Sequence, residues 1–167
     1  MENEKSFIAL IEKSIKKNWD ADALTDYKGV TYQYKDVARK IEKLHIILEE
    51  SGVKPGDKIA VCGRNMSHWG VTFLATVTYG AIIVPILHEF KPDQVHNIVN
   101  HSEAKLLCVG DVVWEGLDES AMPGLEGIIL VNAKTRTEKR KNKNKKSKSS
   151  RSNKKKTNRS SRRIHNR

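Results

Sequence analysis

The chain has 167 residues and a formal net charge of +11, but this charge is distributed very unevenly. Residues 1–133 contain 14 Lys and Arg against 19 Asp and Glu, whereas residues 134–167 contain 17 against one, Glu138. The overall basicity is therefore no evidence for a folded nucleic-acid-binding domain, and about 130 residues of mixed composition make one domain at most.

Composition also argues against an exported or membrane-spanning protein. The longest apolar stretch, Val71 to Leu87, is interrupted by Thr, Gly and Pro and is too short and polar for a bilayer span. Cys62 and Cys108 lie in separate apolar runs without metal-ligand or Cys-x-x-Cys spacing. This pattern indicates two buried thiols rather than a disulfide, so we expect a cytoplasmic protein.

The first third of the chain shows helical and hairpin patterns. Apolar residues recur at helical spacing from Phe7 to Ile15, after Ser6 as a start signal. Two β-prone runs, 23–25 and 30–32, flank a Gly-containing turn and predict a hairpin. A long amphipathic helix is predicted from Tyr34 to Ser51, ended by Gly52.

From residue 58 the pattern alternates between short apolar runs and helical segments. This alternation predicts an α/β fold with a parallel sheet. The expected strands are 58–62, 81–84 (stopped by Pro85), 106–109 and 128–131. The expected helices run from a Ser67 cap to Gly80 and from Pro92 through Val99, and Gly110-Asp111 is expected to form a turn.

Several of these segments together resemble the opening of AMP-forming acyl-CoA synthetases, in the adenylate-forming superfamily. The segments are 30–34, 50–61 with its Gly56-Asp57 turn, 65–67, 73–85 and 98–107. The resemblance covers about residues 22–131 and is strongest to long-chain fatty acid–CoA ligases. It implies an incomplete parallel-sheet sub-domain of the N-terminal domain of such an enzyme.

The matching residues also have structural roles that need no family knowledge. Gly56 allows a sharp turn where a Cβ would clash, and Asp57 can accept hydrogen bonds from nearby backbone amides. Gly80 ends a helix and lets it approach the sheet, and Pro85 is expected to terminate a strand at the edge where parallel sheets bind ligands. We interpret all four as scaffold residues.

The sequence departs from the family after Val131. The resemblance implies a phosphate-binding loop of the form T-S-G-T-T-G, a ribose-binding Asp and a catalytic Lys, and none is found in these 167 residues. We therefore assign no catalytic, cofactor-binding or metal-binding residue. The family cofactors ATP, Mg²⁺ and coenzyme A, and its fatty-acid substrate, are not expected to bind this chain tightly.

Other candidate sites in the sequence are weak. His96 and His101 are five residues apart, which does not place them on one helix face as metal ligands. His88 and Glu89 are the best-placed ionisable pair for a pocket, although a solvated loop is the simpler interpretation. Trp19, Trp69 and Trp114 are too dispersed for a base-stacking platform and indicate packing.

The segment from Lys134 to Arg167 has one aliphatic residue, Ile164, and is expected to be disordered. It is a candidate for non-specific nucleic-acid binding. Its Lys/Arg/Asn/Ser composition is also typical of adenine-rich codons read in another frame. We therefore interpret residues 1–133 as a partial synthetase domain and residues 134–167 as a frameshift-derived tail.

The sequence thus predicts a part of an AMP-dependent synthetase that is inactive alone. In the intact family, ATP activates a fatty acid to an acyl-adenylate, which then forms a thioester with coenzyme A. Two alternatives from other classes stay open. One is nucleic-acid binding through the tail, and the other is a non-catalytic interaction fragment that uses an unpaired sheet edge.

Overall fold

The computed structural model describes residues 6–131, and the predictions for residues 134–167 lie outside this range. Six strands and five helices alternate along the described chain. They are α1 (Phe7–Lys17), β1 (Asp22–Thr25), β2 (Thr31–Gln33), α2 (Tyr34–Glu50), β3 (Lys58–Cys62), α3 (Ser67–Tyr79), β4 (Ile82–Ile86), α4 (Pro92–Ser102), β5 (Leu106–Val109), α5 (Asp111–Trp114) and β6 (Gly127–Leu130), with a 3₁₀ turn at Glu119–Ala121.

The main sheet has four parallel strands in the order β4-β3-β5-β6, which confirms the α/β prediction. β3 is the central strand, and it pairs with β4 on one side and with β5 on the other. All four residues of β5 and the last four of β3 are buried. Their uninterrupted apolar sequences are those expected of strands covered on both faces.

Side chains of β3 alternate between two apolar layers. Ala60 and Cys62 pack with Val95 and Val99 of α4 on one face. Ile59 and Val61 pack with Leu48 of α2 on the other. The sheet is therefore sandwiched between helices, and burial of these layers supplies the main stabilisation at about 25 cal/mol per Å² of apolar area.

The predicted hairpin is confirmed as β1 and β2, which pair antiparallel in a separate two-stranded sheet. It packs on a third apolar cluster that joins α2 to α3. The buried members of this cluster are Val37, Ile41, Val71 and Ala75. The hairpin is thereby held beside the amino end of α3, where it contributes to the candidate site.

Helix α1 is confirmed, and the side chain of Ser6 accepts a hydrogen bond from the Ala9 amide as its N-cap. None of its residues is buried. Among residues 6–131, no helix is both long enough and apolar enough to cross a membrane.

Pro85 does not stop β4, so that prediction was wrong. It lies inside the strand, opposite Val61 of β3. The Ile82 amide donates to the carbonyl of Asp57, which directly precedes β3. Because the backbone groups of successive residues in a strand point to opposite neighbours, the backbone nitrogen of Pro85 faces away from β3. A proline is tolerated there because β4 is an edge strand and no ladder hydrogen bond is lost.

Other local predictions need smaller corrections. Gly56 has a φ of +88°, but a Cβ there would meet no atom within 4 Å, so its role is the positive φ rather than relief of a clash. Asp57 accepts a hydrogen bond from the Lys54 amide as expected, at 2.8 Å. Gly110-Asp111 opens α5 instead of forming a turn, and β6 begins one residue earlier than predicted.

Candidate functional site

The candidate site lies at the carboxyl ends of β3 and β5. The chain leaves β3 toward β4 and leaves β5 toward β6, so the two connections diverge from adjacent strands. Such a switch point is where open parallel sheets usually bind ligands.

Two glycines bring the connections close together at this point. The Gly110 amide donates to the Cys62 carbonyl at 3.0 Å, and a Cβ on Gly63 would lie 3.6 Å from the Gly110 nitrogen. A Cβ at either position would make only an ordinary van der Waals contact, so the two connections lie against each other at the ends of the strands.

A cleft of about 100 Å³ lies at this end of the two strands. Its walls are mainly apolar, with Val61, Met66, Trp69 and Val112 among the lining residues. Trp69 stacks on Phe73 with ring centroids 5.6 Å apart, which holds one wall in place. Sites for drug-sized ligands have about 300–1,000 Å³, so this cleft accommodates a small group rather than a nucleotide.

Three ionisable side chains line the same cleft. Arg64 is exposed and His68 is half-buried, and both follow β3. Asp111 begins α5 on the opposite side, and its carboxylate accepts a hydrogen bond from the Val112 amide at 2.8 Å. The cleft thus combines an apolar interior with charged groups at its mouth.

The amino end of α3 next to this cleft is occupied by a carboxylate of the chain itself. Asp26, in the turn of the hairpin, accepts hydrogen bonds from the Ser67 amide at 2.6 Å and the Ser67 hydroxyl at 2.8 Å. Asp26 and Ser67 are both buried. Ser67 is therefore not the N-cap predicted from the sequence; Met66 takes that position, and Ser67 is the first helical residue.

The environment of Asp26 favours its ionised form. Burial raises the pKa of the carboxyl group, but the two hydrogen bonds from Ser67 and the nearby His68 outweigh it, so the pKa lies below its ordinary value. A carboxylate at this position also complements the positive end of the α3 dipole.

The other helix amino ends at this edge of the sheet are also poor anion sites. Pro92, at the start of α4, has no amide hydrogen, and the preceding Lys91 amide donates to Gln94 Oε1 at 3.0 Å. Asp93 adds a negative charge in the first turn of α4. Asp111 does the same in α5, a helix of only four residues.

The cysteines offer no nucleophile at the site. Burial raises the pKa of Cys62 to about 11 and that of Cys108 to about 12, so both thiols are protonated at neutral pH. Both are free and buried, as predicted. They point to opposite faces of the sheet, since Cys62 belongs to the α4 layer and Cys108 to the α2 layer.

The histidine candidates lie away from the cleft. His88 and Glu89 follow β4 and approach to 3.6 Å, but neither lines the cleft. His96 Nε2 accepts a hydrogen bond from the Asp118 amide at 3.1 Å. Within residues 6–131, no group of three or more His, Cys, Asp and Glu is arranged to hold a metal ion.

Sequence reasoning missed the Asp26–Ser67 pair altogether. The two residues are 41 positions apart, and Asp26 was interpreted only as part of a turn. The sequence contains only an indirect signal for this pair. A short acidic residue in a hairpin turn and a serine at a helix start each need a hydrogen-bond partner once buried.

Comparison with known proteins decides the family. The family model described as AMP-binding enzyme matches residues 11–164. The chain belongs to this family. The match extends beyond residues 22–131 in both directions and includes most of the basic segment, whose interpretation as a frameshift product stays a prediction.

Individual relatives are adenylate-forming enzymes of several kinds. Surfactin synthase subunit 2 of Bacillus subtilis is 28% identical over 104 residues, which is 62% of this chain and 3% of that protein. A long-chain-fatty-acid–CoA ligase from Archaeoglobus fulgidus superposes with a TM-score of 0.71 at 22% identity, covering 78% of this chain and 28% of that one. The anthranilate CoA ligase AuaEII, solved with anthranoyl-AMP, gives 0.69 at 21% identity, covering 74% and 24%.

These matches confirm the resemblance and the fold. The four-stranded parallel sheet corresponds to part of the fold of acyl- and aryl-CoA ligases. The chain spans about a quarter of the length of the two ligases and a far smaller share of the surfactin synthase subunit. The proteins similar to this chain thus include two CoA ligases and a surfactin synthase subunit.

The Asp26–Ser67 pair makes a testable contribution to stability. Replacing Asp26 by Ala leaves the buried Ser67 amide and hydroxyl without an acceptor, which we expect to cost about 1–3 kcal/mol in the free energy of unfolding. Asp26→Asn keeps an acceptor oxygen and should cost less. The exposed Asp22→Ala is the matched control, and urea unfolding measures all three.

The same variants test how the stabilisation by Asp26 depends on pH. Because the folded pKa of Asp26 lies below the unfolded value of about 3.9, its contribution is complete above that pH and is lost as pH falls through the folded pKa. The stability difference between wild type and Asp26→Asn should therefore shrink below about pH 4. A stability difference that is independent of pH would contradict the conclusion that Asp26 is an ionised, hydrogen-bonded carboxylate in the folded protein.

Proposed function

We propose that this chain is a scaffold portion of an AMP-forming acyl-CoA ligase and does not activate an acid by itself. The reaction of the whole enzyme is attack of a carboxylate on the α-phosphorus of ATP, releasing pyrophosphate, followed by transfer of the acyl group to coenzyme A. This chain supplies the parallel sheet, the helices that cover it and the cleft at the strand ends.

The observation that carries the proposal is the occupation of the α3 amino end by Asp26. A helix amino end beside the carboxyl edge of a parallel sheet is ordinarily a good phosphate site. Here the Ser67 amide and hydroxyl already donate to the Asp26 carboxylate. A phosphate would have to displace that carboxylate and would meet its negative charge.

The remaining candidates for holding ATP support the same conclusion. Pro92 removes an amide donor from the start of α4, and the 100 Å³ cleft is well below nucleotide size. Adenylation depends on groups that position the triphosphate and stabilise its developing charge. The T-S-G-T-T-G loop that the family uses for this is not found in these 167 residues.

A long-chain fatty acid is the proposed acid of the whole enzyme. Support comes from the tyrosine-containing segment Val30-Thr31-Tyr32-x-Tyr34, which resembles fatty acid–CoA ligases. The anthranilate CoA ligase AuaEII has a similar fold and a different acid in its name.

The proposal predicts very weak nucleotide binding. We expect no fatty-acid-dependent exchange of pyrophosphate into ATP, and an ATP affinity in the millimolar range or weaker, of order −4 kcal/mol. An active AMP-forming ligase measured in parallel controls for the assay. Saturable ATP binding in the micromolar range by calorimetry would overturn the proposal.

A second candidate function rests on the basic segment from Lys134 to Arg167. Its 17 Lys and Arg against one Glu make it a strong polycation. Such a segment gains free energy on any nucleic acid by releasing condensed counterions, without sequence preference. The described residues have no part in this proposal.

The second candidate predicts a steep salt dependence. If about five to eight of these charges contact duplex phosphates, the logarithm of the affinity should fall with the logarithm of salt concentration at a slope of about −4 to −7. Deleting residues 134–167 should abolish binding and leave the circular dichroism of the remainder nearly unchanged. Binding that survives the deletion would exclude the tail as the site.

A further inference from the structure

We draw no further inference here: the strongest candidate, the apolar groove of about 340 Å³ between α1 and the surface formed by the hairpin, α2 and α3, carries none because nothing in the structure shows what covers it.

Discussion

The fold depends on the burial of two adjacent strands from both sides. β3 and β5 present apolar side chains at successive positions, so each strand needs a helical layer on either face. α2 covers one face and α4 the other. After β4 the chain crosses β3 to form β5 on its other side, which gives the order β4-β3-β5-β6 and allows helices on both faces. The connections that follow β3 and β5 then diverge, and the cleft lies where these two strands end.

A long-range polar contact connects the hairpin to the start of α3. Asp26 reaches Ser67 across 41 positions and fixes the start of α3 beside the cleft. The same contact uses the backbone donors that would otherwise suit a phosphate. The amino end of α3 is thus occupied by a carboxylate of the chain itself.

The sequence pattern predicted those features that depend on local periodicity. The buried runs 58–62 and 106–109, the hairpin and the long helix α2 were all recovered because alternation and helical spacing are local signals. Pro85 was misplaced because a proline stops a strand only where its missing amide would face a neighbour, and strand order is not visible in the sequence.

The candidate site was much less predictable than the fold. The hydrogen bonds between Asp26 and Ser67 join residues that no spacing rule relates. The cleft requires the carboxyl ends of β3 and β5 to be neighbours, although β4 lies between them in the chain. Such non-local pairings become visible only once the sheet order is known.

Native-state hydrogen exchange tests the central role of β3 and β5 most directly. If burial from both sides is the main constraint, the amides of Ile59–Cys62 and Leu106–Val109 should exchange most slowly, through opening of the whole domain. The amides of α1, which has no buried residue, should exchange through local opening at much lower free energy. Exchange of the β3 and β5 amides as fast as those of α1 would contradict the account.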